Sequence, residues 1–147
     1  DGRLKDTAAN ILASGEFVVH ISDEAIAAKM HACGESLPPE VSELERFGLH
    51  ALPSQTVKPP RIAEAPVAFE CVLHEKLETE SRYVFIGRVQ WLHARDGLVD
   101  TETWRVRLQD YPPVGRFGAS FYITTRDRFA IDGQDRESRA STPIDEI

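Results

Sequence analysis

The first apolar residues of the chain recur at the spacing of an α-helix and then run together as in a buried strand. The spacing predicts a helix over residues 5–14, which Gly15 ends. Asp6 or Thr7 is its expected N-cap, because carboxylate and hydroxyl oxygens accept bonds from first-turn N–H groups. Residues 16–21 (EFVVHI) are apolar enough to form a short strand covered on both faces.

A second helix and a proline-rich arm follow this strand. The sequence EAIAAKMHAC predicts a helix over residues 24–33, with Ser22 or Asp23 as its cap. The stretch 35–66 contains two Pro-Pro pairs and is the least regular part of the chain, with one short helix expected over residues 40–47. A proline-rich arm of this length usually wraps over another surface, and a partner subunit is a candidate.

The pattern then changes to strict alternation, which is typical of strands. The sequences VAFECVLHEKL (67–77) and RYVFIGRVQWLHA (82–94) predict two long antiparallel strands joined by the polar turn ETES. Gly87, in the middle of the second strand, indicates a bulge, a barrel bend or a close approach of a ligand. The residues expected on the buried face are Phe69, Cys71, Leu73, Phe85, Val89 and Trp91. Those expected on the opposite face are Glu70, His74, Arg88 and Gln90.

The remaining sequence predicts short strands and a tail. A turn and a short strand are expected at 94–100, and a hairpin is expected around TRDR, residues 125–128. The elements together predict one mainly β domain with flanking helices over residues 1–131, followed by a polar, flexible tail over 132–147. Four or five strands do not close a barrel, so their open edges require cover from an N-terminal stretch missing here or from a partner chain.

Composition and charge exclude several classes of function. The net charge of −7 and the absence of a basic cluster argue against nucleic-acid binding. No apolar run has the length of a membrane span, and no signal peptide is visible. The two cysteines, Cys33 and Cys71, lack metal-ligand spacing, so we expect reduced thiols, no metal site and a cytoplasmic protein. The chain also lacks GxGxxG, P-loop, GxSxG and HExxH motifs.

The start of the first helix is the first candidate site. Arg3 and Lys5 bring positive charge, and Thr7 brings a hydroxyl, to a helix N-terminus whose free N–H groups already favour anions. Asp6 opposes an anion unless it caps the helix or binds a sugar hydroxyl. The residues alone leave two interpretations open, a phosphate site and an ordinary capped helix start.

The sequence PPVGRFGASFY is the second candidate site. Gly115 and Gly118 flank Arg116, and Tyr122 follows, so the backbone there can approach a flat ligand with positive charge beside it. The alternative is a hairpin with structural glycines. His20 closes an apolar strand, where its polar tip either faces a cavity or lies at the surface.

The chain contains six stretches that together resemble one protein family. They are GRLKDTAANILASGEFVVHI, HACGESLPP, FGLHALPS, VKPPRIAEAPVAFECVLHE, FIGRVQWLHARDGLVD and YPPVGRFGASFY. In this order they resemble the flavin reductase-like family of FMN-binding split-barrel proteins. The resemblance implies an antiparallel FMN-binding split β-barrel, present here in part, because members of the family begin with strands that precede the KDT helix.

The resemblance also implies the residues of a flavin site. It places Lys5, Asp6 and Thr7, with Arg3, at the FMN phosphate and ribityl chain. Asn10, one turn further on, is a weaker candidate. The positions implied near the flavin ring, with contribution across a dimer interface as one arrangement, are Arg116, Gly118 and Tyr122.

The function implied by the resemblance is hydride transfer. NAD(P)H would deliver hydride to the flavin N5, and the electrons would pass to oxygen, to free flavin or to a partner monooxygenase. A homodimer is the expected assembly. Two alternatives are an FMN electron carrier that does not use a nicotinamide and a dimerising module that has lost the cofactor.

Overall fold

The computed structural model describes residues 4–38, 40–80 and 82–127 of the chain. The helices are α1 (Asp6–Ser14), α2 (Ala27–Ala32) and α3 (Glu43–Phe47), and a 3₁₀ turn covers Leu108–Asp110. The strands are β1 (Glu16–Ile21), β2 (Ala51–Leu52), β3 (Arg61–Ile62), β4 (Val67–Glu78), β5 (Tyr83–Ala94), β6 (Val99–Asp100), β7 (Arg105–Val106), β8 (Val114–Gly118) and β9 (Phe121–Thr124). The tail predicted over 132–147 lies outside the described residues.

An antiparallel sheet with the strand order β1-β4-β5 forms the centre of the fold. The predicted long hairpin is confirmed as β4 and β5, and β1 pairs with β4 from Glu16 opposite Val72 to Ile21 opposite Val67. The other described strands form the two-stranded ladders β2-β3, β6-β7 and β8-β9, so they do not close a barrel. The buried apolar residues are Ile11, Ile26, Leu49, Val57, Ala68, Cys71 and Leu98.

The strict alternation expected along β4 is wrong at Glu70, which is completely buried. The register between β4 and β5 shifts between Glu70 and Cys71, because Glu70 lies opposite Trp91 whereas Cys71 lies opposite Val89. The shift allows two consecutive residues of β4 to be buried, which period-two alternation forbids. Glu70 therefore lies inside the protein rather than on the polar face.

The burial expected for Val89 and Trp91 is also wrong. Trp91 is 48% exposed and Val89 is 53% exposed. Both lie on β5, which is an edge strand of the sheet, and the described elements leave this part of its surface uncovered. Phe85, further toward the hairpin turn, is half-buried as expected.

Gly87 lies beside a bulge, as one of the three predicted alternatives requires, and it also packs closely against two side chains of the sheet. A Cβ atom added at this position would lie 2.5 Å from Cζ of Phe17 on β1 and 3.0 Å from Cβ of Cys71 on β4. Gly87 pairs with Leu73, directly beside a second register shift in β4, so a bulge accompanies the close approach.

The helix starts differ from the sequence prediction. The N-cap of α1 is Lys5 rather than Asp6 or Thr7, and no side chain makes a capping hydrogen bond there. Asp23 accepts bonds from the Ala25 and Ile26 N–H groups, but it caps a turn, and α2 begins only at Ala27. The predicted C-terminal end of α1 is confirmed, because Gly15 follows the helix with a left-handed φ of 69°.

β8 and β9 form a hairpin whose strands are joined at Ala119 and Ser120, which is the hairpin alternative given for PPVGRFGASFY. The hairpin expected around TRDR involves residues that lie outside the described part of the chain. Gly118 and Ala119 have φ values of 144° and 45°, and these left-handed conformations reverse the chain. An alanine in this conformation gives little turn signal in a sequence.

None of the described helices is a candidate for a membrane span. Each described helix is too short or too polar to span a bilayer.

Candidate functional site

An open cleft of about 730 Å³ lies between the start of α1 and the turn of the β4-β5 hairpin. The helix side consists of Leu4, Lys5, Thr7 and Ala8. The hairpin side consists of Glu78, Thr79, Glu80, Arg82, Tyr83 and Phe85. The cleft therefore combines a helix N-terminus, cations, two carboxylates, hydroxyl groups and an aromatic wall.

The strand lengths explain why these two elements meet. β1 begins at Glu16 opposite Val72, and the N–H of Leu73 donates to the carbonyl of Gly15 at 2.7 Å. β4 continues beyond this point to Glu78. Because α1 leads directly into β1, it lies beside the part of the hairpin that extends past β1.

The N-terminus of α1 has no side-chain cap. Lys5 has an extended backbone, with φ −66° and ψ 149°, and its carbonyl accepts the N–H of Ala9. A lysine side chain has no acceptor atom, so it cannot cap the first-turn N–H groups. These N–H groups, together with the partial positive charge of a helix N-terminus, favour an anion at this end of the cleft.

The cleft brings together some of the predicted site residues. Lys5 and Thr7 line it. Asp6 and Asn10 are exposed on α1 but are not among the described lining residues. Arg3 lies outside the described residues.

Glu78 and Glu80 both line the cleft, and their negative charges oppose an anion there. The carboxylate of Glu78 lies 3.1 Å from Nζ of Lys76 and accepts the hydroxyl of Tyr83 at 3.1 Å. The hydrogen bond from Lys76 is the largest influence on the pKa of Glu78 and lowers it, and the Tyr83 hydroxyl lowers it further. The negative charge of Glu78 is therefore compensated by a neighbouring cation.

The hairpin residues of the cleft were not among the residues predicted from sequence. Arg82 adds a guanidinium group to the cleft. Tyr83 stacks on Phe85 with ring centroids 5.9 Å apart. The sequence did contain a signal for them. The strands predicted at 67–77 and 82–94 are longer than the one at 16–21, so their turn must extend past the shorter strand.

Arg116 and Tyr122, the other predicted residues, form a separate cluster. Nη1 of Arg116 donates to the Tyr122 hydroxyl at 2.8 Å, and this oxygen lies 3.0 Å from Nδ1 of His31 on α2. Gly118 lies at the end of β8, where the hairpin turns. None of these three predicted residues is among the described lining residues of the cleft.

A family model assigns the chain to a known family. The model of the flavin reductase like domain matches residues 2–111. The chain belongs to this family. The match includes α1, the proline-rich arm and the long hairpin, and it ends before β8.

Several known proteins are similar to this flavin reductase-like domain. A protein of Aquifex aeolicus (strain VF5) is 40% identical over 123 residues, which cover 84% of this chain and 62% of the relative. Pseudomonas fluorescens 2-nitrobenzoate 2-nitroreductase NbaA is 36% identical with a TM-score of 0.80, over 87% of this chain and 64% of that chain. Nitrilotriacetate monooxygenase component B from Bacillus cereus is 32% identical with a TM-score of 0.79, over 88% and 66% respectively.

The fold is the split barrel predicted from the sequence. A putative flavin reductase with a split barrel domain from Shewanella frigidimarina NCIMB 400 has a TM-score of 0.77 over 86% of this chain and 65% of that chain. It is 20% identical, so it shows the fold alone. This flavin reductase-like chain spans less than two thirds of the length of the Aquifex relative and of NbaA.

Proposed function

We propose that this chain binds FMN in the cleft between α1 and the β4-β5 hairpin and acts as an NAD(P)H-dependent flavin oxidoreductase. The observation that carries the proposal is the uncapped N-terminus of α1, which opens into the same cleft as Lys5 and Thr7. Membership of the flavin reductase-like family supports a flavin as the ligand.

The phosphate group of FMN fits the helix side of the cleft. A phosphate dianion accepts hydrogen bonds from first-turn N–H groups and is stabilised by the helix dipole. Lys5 adds a charge-assisted bond and Thr7 adds a hydroxyl donor. The cleft, at about 730 Å³, is within the usual range of about 300–1,000 Å³ for small-molecule sites.

The rest of the cofactor is assigned to neighbouring residues. We assign Asp6 and Asn10 to the ribityl hydroxyls, because both are exposed on the first turns of α1 next to the cleft residues. Bound FMN supplies the chemistry, which is acceptance of a hydride from NAD(P)H and delivery of the electrons to an acceptor. The protein residues bind and orient the cofactor and exclude water from it.

The residues assigned to the flavin ring support a homodimer. Arg116, Gly118 and Tyr122 lie on β8 and β9 and do not line the cleft of their own chain. Phe117 and Phe121 in the same hairpin are 75% and 70% exposed, and neighbouring exposed aromatic side chains favour an interaction surface. We propose that this hairpin contributes to the flavin site of a partner subunit.

Two acceptors of the electrons are proposed, each favoured by one comparison. Similarity to a protein described as a monooxygenase component B favours transfer to a separate monooxygenase. Similarity to a protein described as a 2-nitrobenzoate 2-nitroreductase favours direct reduction of an organic molecule bound to the flavoprotein. Reoxidation of the reduced protein by 2-nitrobenzoate, compared with reoxidation by free FMN, distinguishes them.

The experiment that tests the site compares FMN with riboflavin, which lacks the phosphate. We expect the double variant Lys5→Ala, Thr7→Ala to lose about 2–4 kcal/mol of FMN binding energy, because charge-assisted phosphate bonds contribute roughly 1.5–3 kcal/mol each and exposure reduces them. Riboflavin affinity should change little. Fluorescence titration measures both affinities.

The matched control for this experiment is Arg46→Ala. Arg46 is an exposed cation in the last turn of α3 and is not among the described cleft residues. Its replacement by alanine removes one positive charge, as the Lys5, Thr7 double variant does. FMN affinity in Arg46→Ala should equal that of the unmodified protein. Unchanged FMN affinity in the Lys5, Thr7 double variant would exclude the helix N-terminus as the phosphate site.

A further inference from the structure

A second pocket, of about 230 Å³, is lined by residues at the end of β1, in and around α2, and in and around the β2-β3 ladder. Its apolar lining includes Ile26, Met30, Leu49 and Ala65. Its polar lining includes His20, at the end of β1. The described lining residues of this pocket and of the cleft do not overlap.

The titratable residues that line the pocket are uncharged at neutral pH. Burial, with a contribution from the charge of Arg61, lowers the pKa of His20. Burial, with a contribution from Glu43, raises the pKa of the Cys33 thiol. Since none of the described lining residues carries a charge that could replace the lost hydration of an ionised ligand, the pocket favours a neutral molecule.

The hydrogen bonding of His20 shows which of its ring nitrogens is left to donate. Nε2 of His20 accepts the backbone N–H of Ile62 at 2.9 Å. A neutral imidazole that accepts at Nε2 carries its proton on Nδ1, so Nδ1–H is a donor. The described residues show no acceptor bonded to this group, and a part-buried donor of this kind is stabilised by an acceptor on a ligand.

We propose that this pocket binds a small neutral ring compound carrying one hydrogen-bond acceptor, such as a carbonyl oxygen, which accepts from Nδ1 of His20. An apolar cavity of about 150 Å³ holds benzene. A volume of about 230 Å³ therefore accommodates a ring with a short substituent. The site is distinct from the proposed flavin cleft, and it does not depend on flavin binding.

Met30 provides a specific reporter of binding, because the sequence contains one methionine and this residue lines the pocket. Protein labelled with ¹³C at the methionine methyl group is titrated with acetophenone and, separately, with ethylbenzene, which has no acceptor. Met30→Leu assigns the signal and separates it from any initiator methionine. We expect a saturable shift of the Met30 methyl signal, with acetophenone bound roughly 2- to 10-fold more tightly, as one net hydrogen bond gives.

Two alanines in the turn after β3 provide the matched variants. Ala65 lines the pocket, whereas Ala63 is exposed. Ala65→Leu should abolish the acetophenone shift, and the smaller Ala65→Val should weaken it. Ala63→Leu should leave it unchanged.

The proposal has two independent points of failure. The absence of a saturable Met30 shift in the unmodified protein, or a shift that Ala65→Leu retains, would overturn the site. Equal affinities for acetophenone and ethylbenzene would overturn the role of His20 as donor. The titrations of the unmodified protein with acetophenone and with ethylbenzene remain decisive if a variant fails to fold.

Discussion

The carboxylate of Glu70, which has no exposed surface, accepts a hydrogen bond from Nε2 of His93 at 2.5 Å. The same oxygen accepts the N–H of Gln55 at 2.7 Å, and the other oxygen accepts the N–H and the hydroxyl of Thr56, both at 2.6 Å. Glu70 lies on β4, His93 lies on β5, and the two other partners belong to the proline-rich arm. The buried side chain of Glu70 thus links the proline-rich arm to the central sheet by hydrogen bonds.

We expect Glu70→Gln to lower the free energy of unfolding by about 2–4 kcal/mol. The amide loses the charge that strengthens these bonds, and its NH₂ group turns a donor toward groups that are themselves donors. Urea unfolding measures the loss. Glu75→Gln, an exposed change on the same strand, is the matched control and should remain within about 0.5 kcal/mol of the unmodified protein. Equal stability of the two variants would contradict this account of Glu70.

The same cluster predicts how stability depends on acid. Burial raises the pKa of Glu70, but the hydrogen bonds from His93, Thr56 and Gln55 outweigh burial and lower the pKa from 4.5 to about 2. Since the unfolded chain binds this proton more readily, the stability that the carboxylate contributes is present above pH 4.5. It is lost as the pH falls from 4.5 to about 2.

The free energy of unfolding, measured at several pH values across this window, checks the acid dependence. We expect the free energy of unfolding of Glu70→Gln to fall less steeply than that of the unmodified protein between about pH 4.5 and pH 2, because the variant has no carboxylate to protonate at this position. Parallel curves for the two proteins would show that Glu70 does not contribute.

The close approach at Gly87 gives a packing prediction. Gly87→Ala should destabilise the protein by about 1–3 kcal/mol, because the new Cβ overlaps the ring of Phe17 and the surroundings must shift. Thermal or urea unfolding measures the change. In a Phe17→Leu background the clash is relieved, so the cost of Gly87→Ala should be smaller there. A cost that is the same in both backgrounds would mean that Phe17 is not the obstacle.

The sequence predicted the elements whose pattern is local. α1, β1 and the β4-β5 hairpin each contain enough periodic residues to reveal their type. Lys5 and Thr7 were predicted at the start of α1, and both line the cleft. The residues implied by the family resemblance remain proposals as flavin ligands.

The sequence did not predict the features that depend on a partner strand. Glu70 was placed on the polar face, because the register shift that buries it arises in the pairing of β4 with β5. Trp91 was placed on the buried face, because alternation alone does not show that β5 is an edge strand. The hairpin at PPVGRFGASFY remained one of two alternatives, because only the folded backbone reveals the left-handed conformation of Ala119.

The most direct test of the proposed function is the visible absorption spectrum of the FMN-loaded protein before and after NADH, and separately NADPH, is added without oxygen. We predict flavin absorption bands that bleach with at least one of the two nicotinamides, as hydride transfer to bound FMN requires. A protein that takes up no FMN, or whose flavin bands persist with both nicotinamides, would contradict the assignment as an NAD(P)H-dependent flavin oxidoreductase.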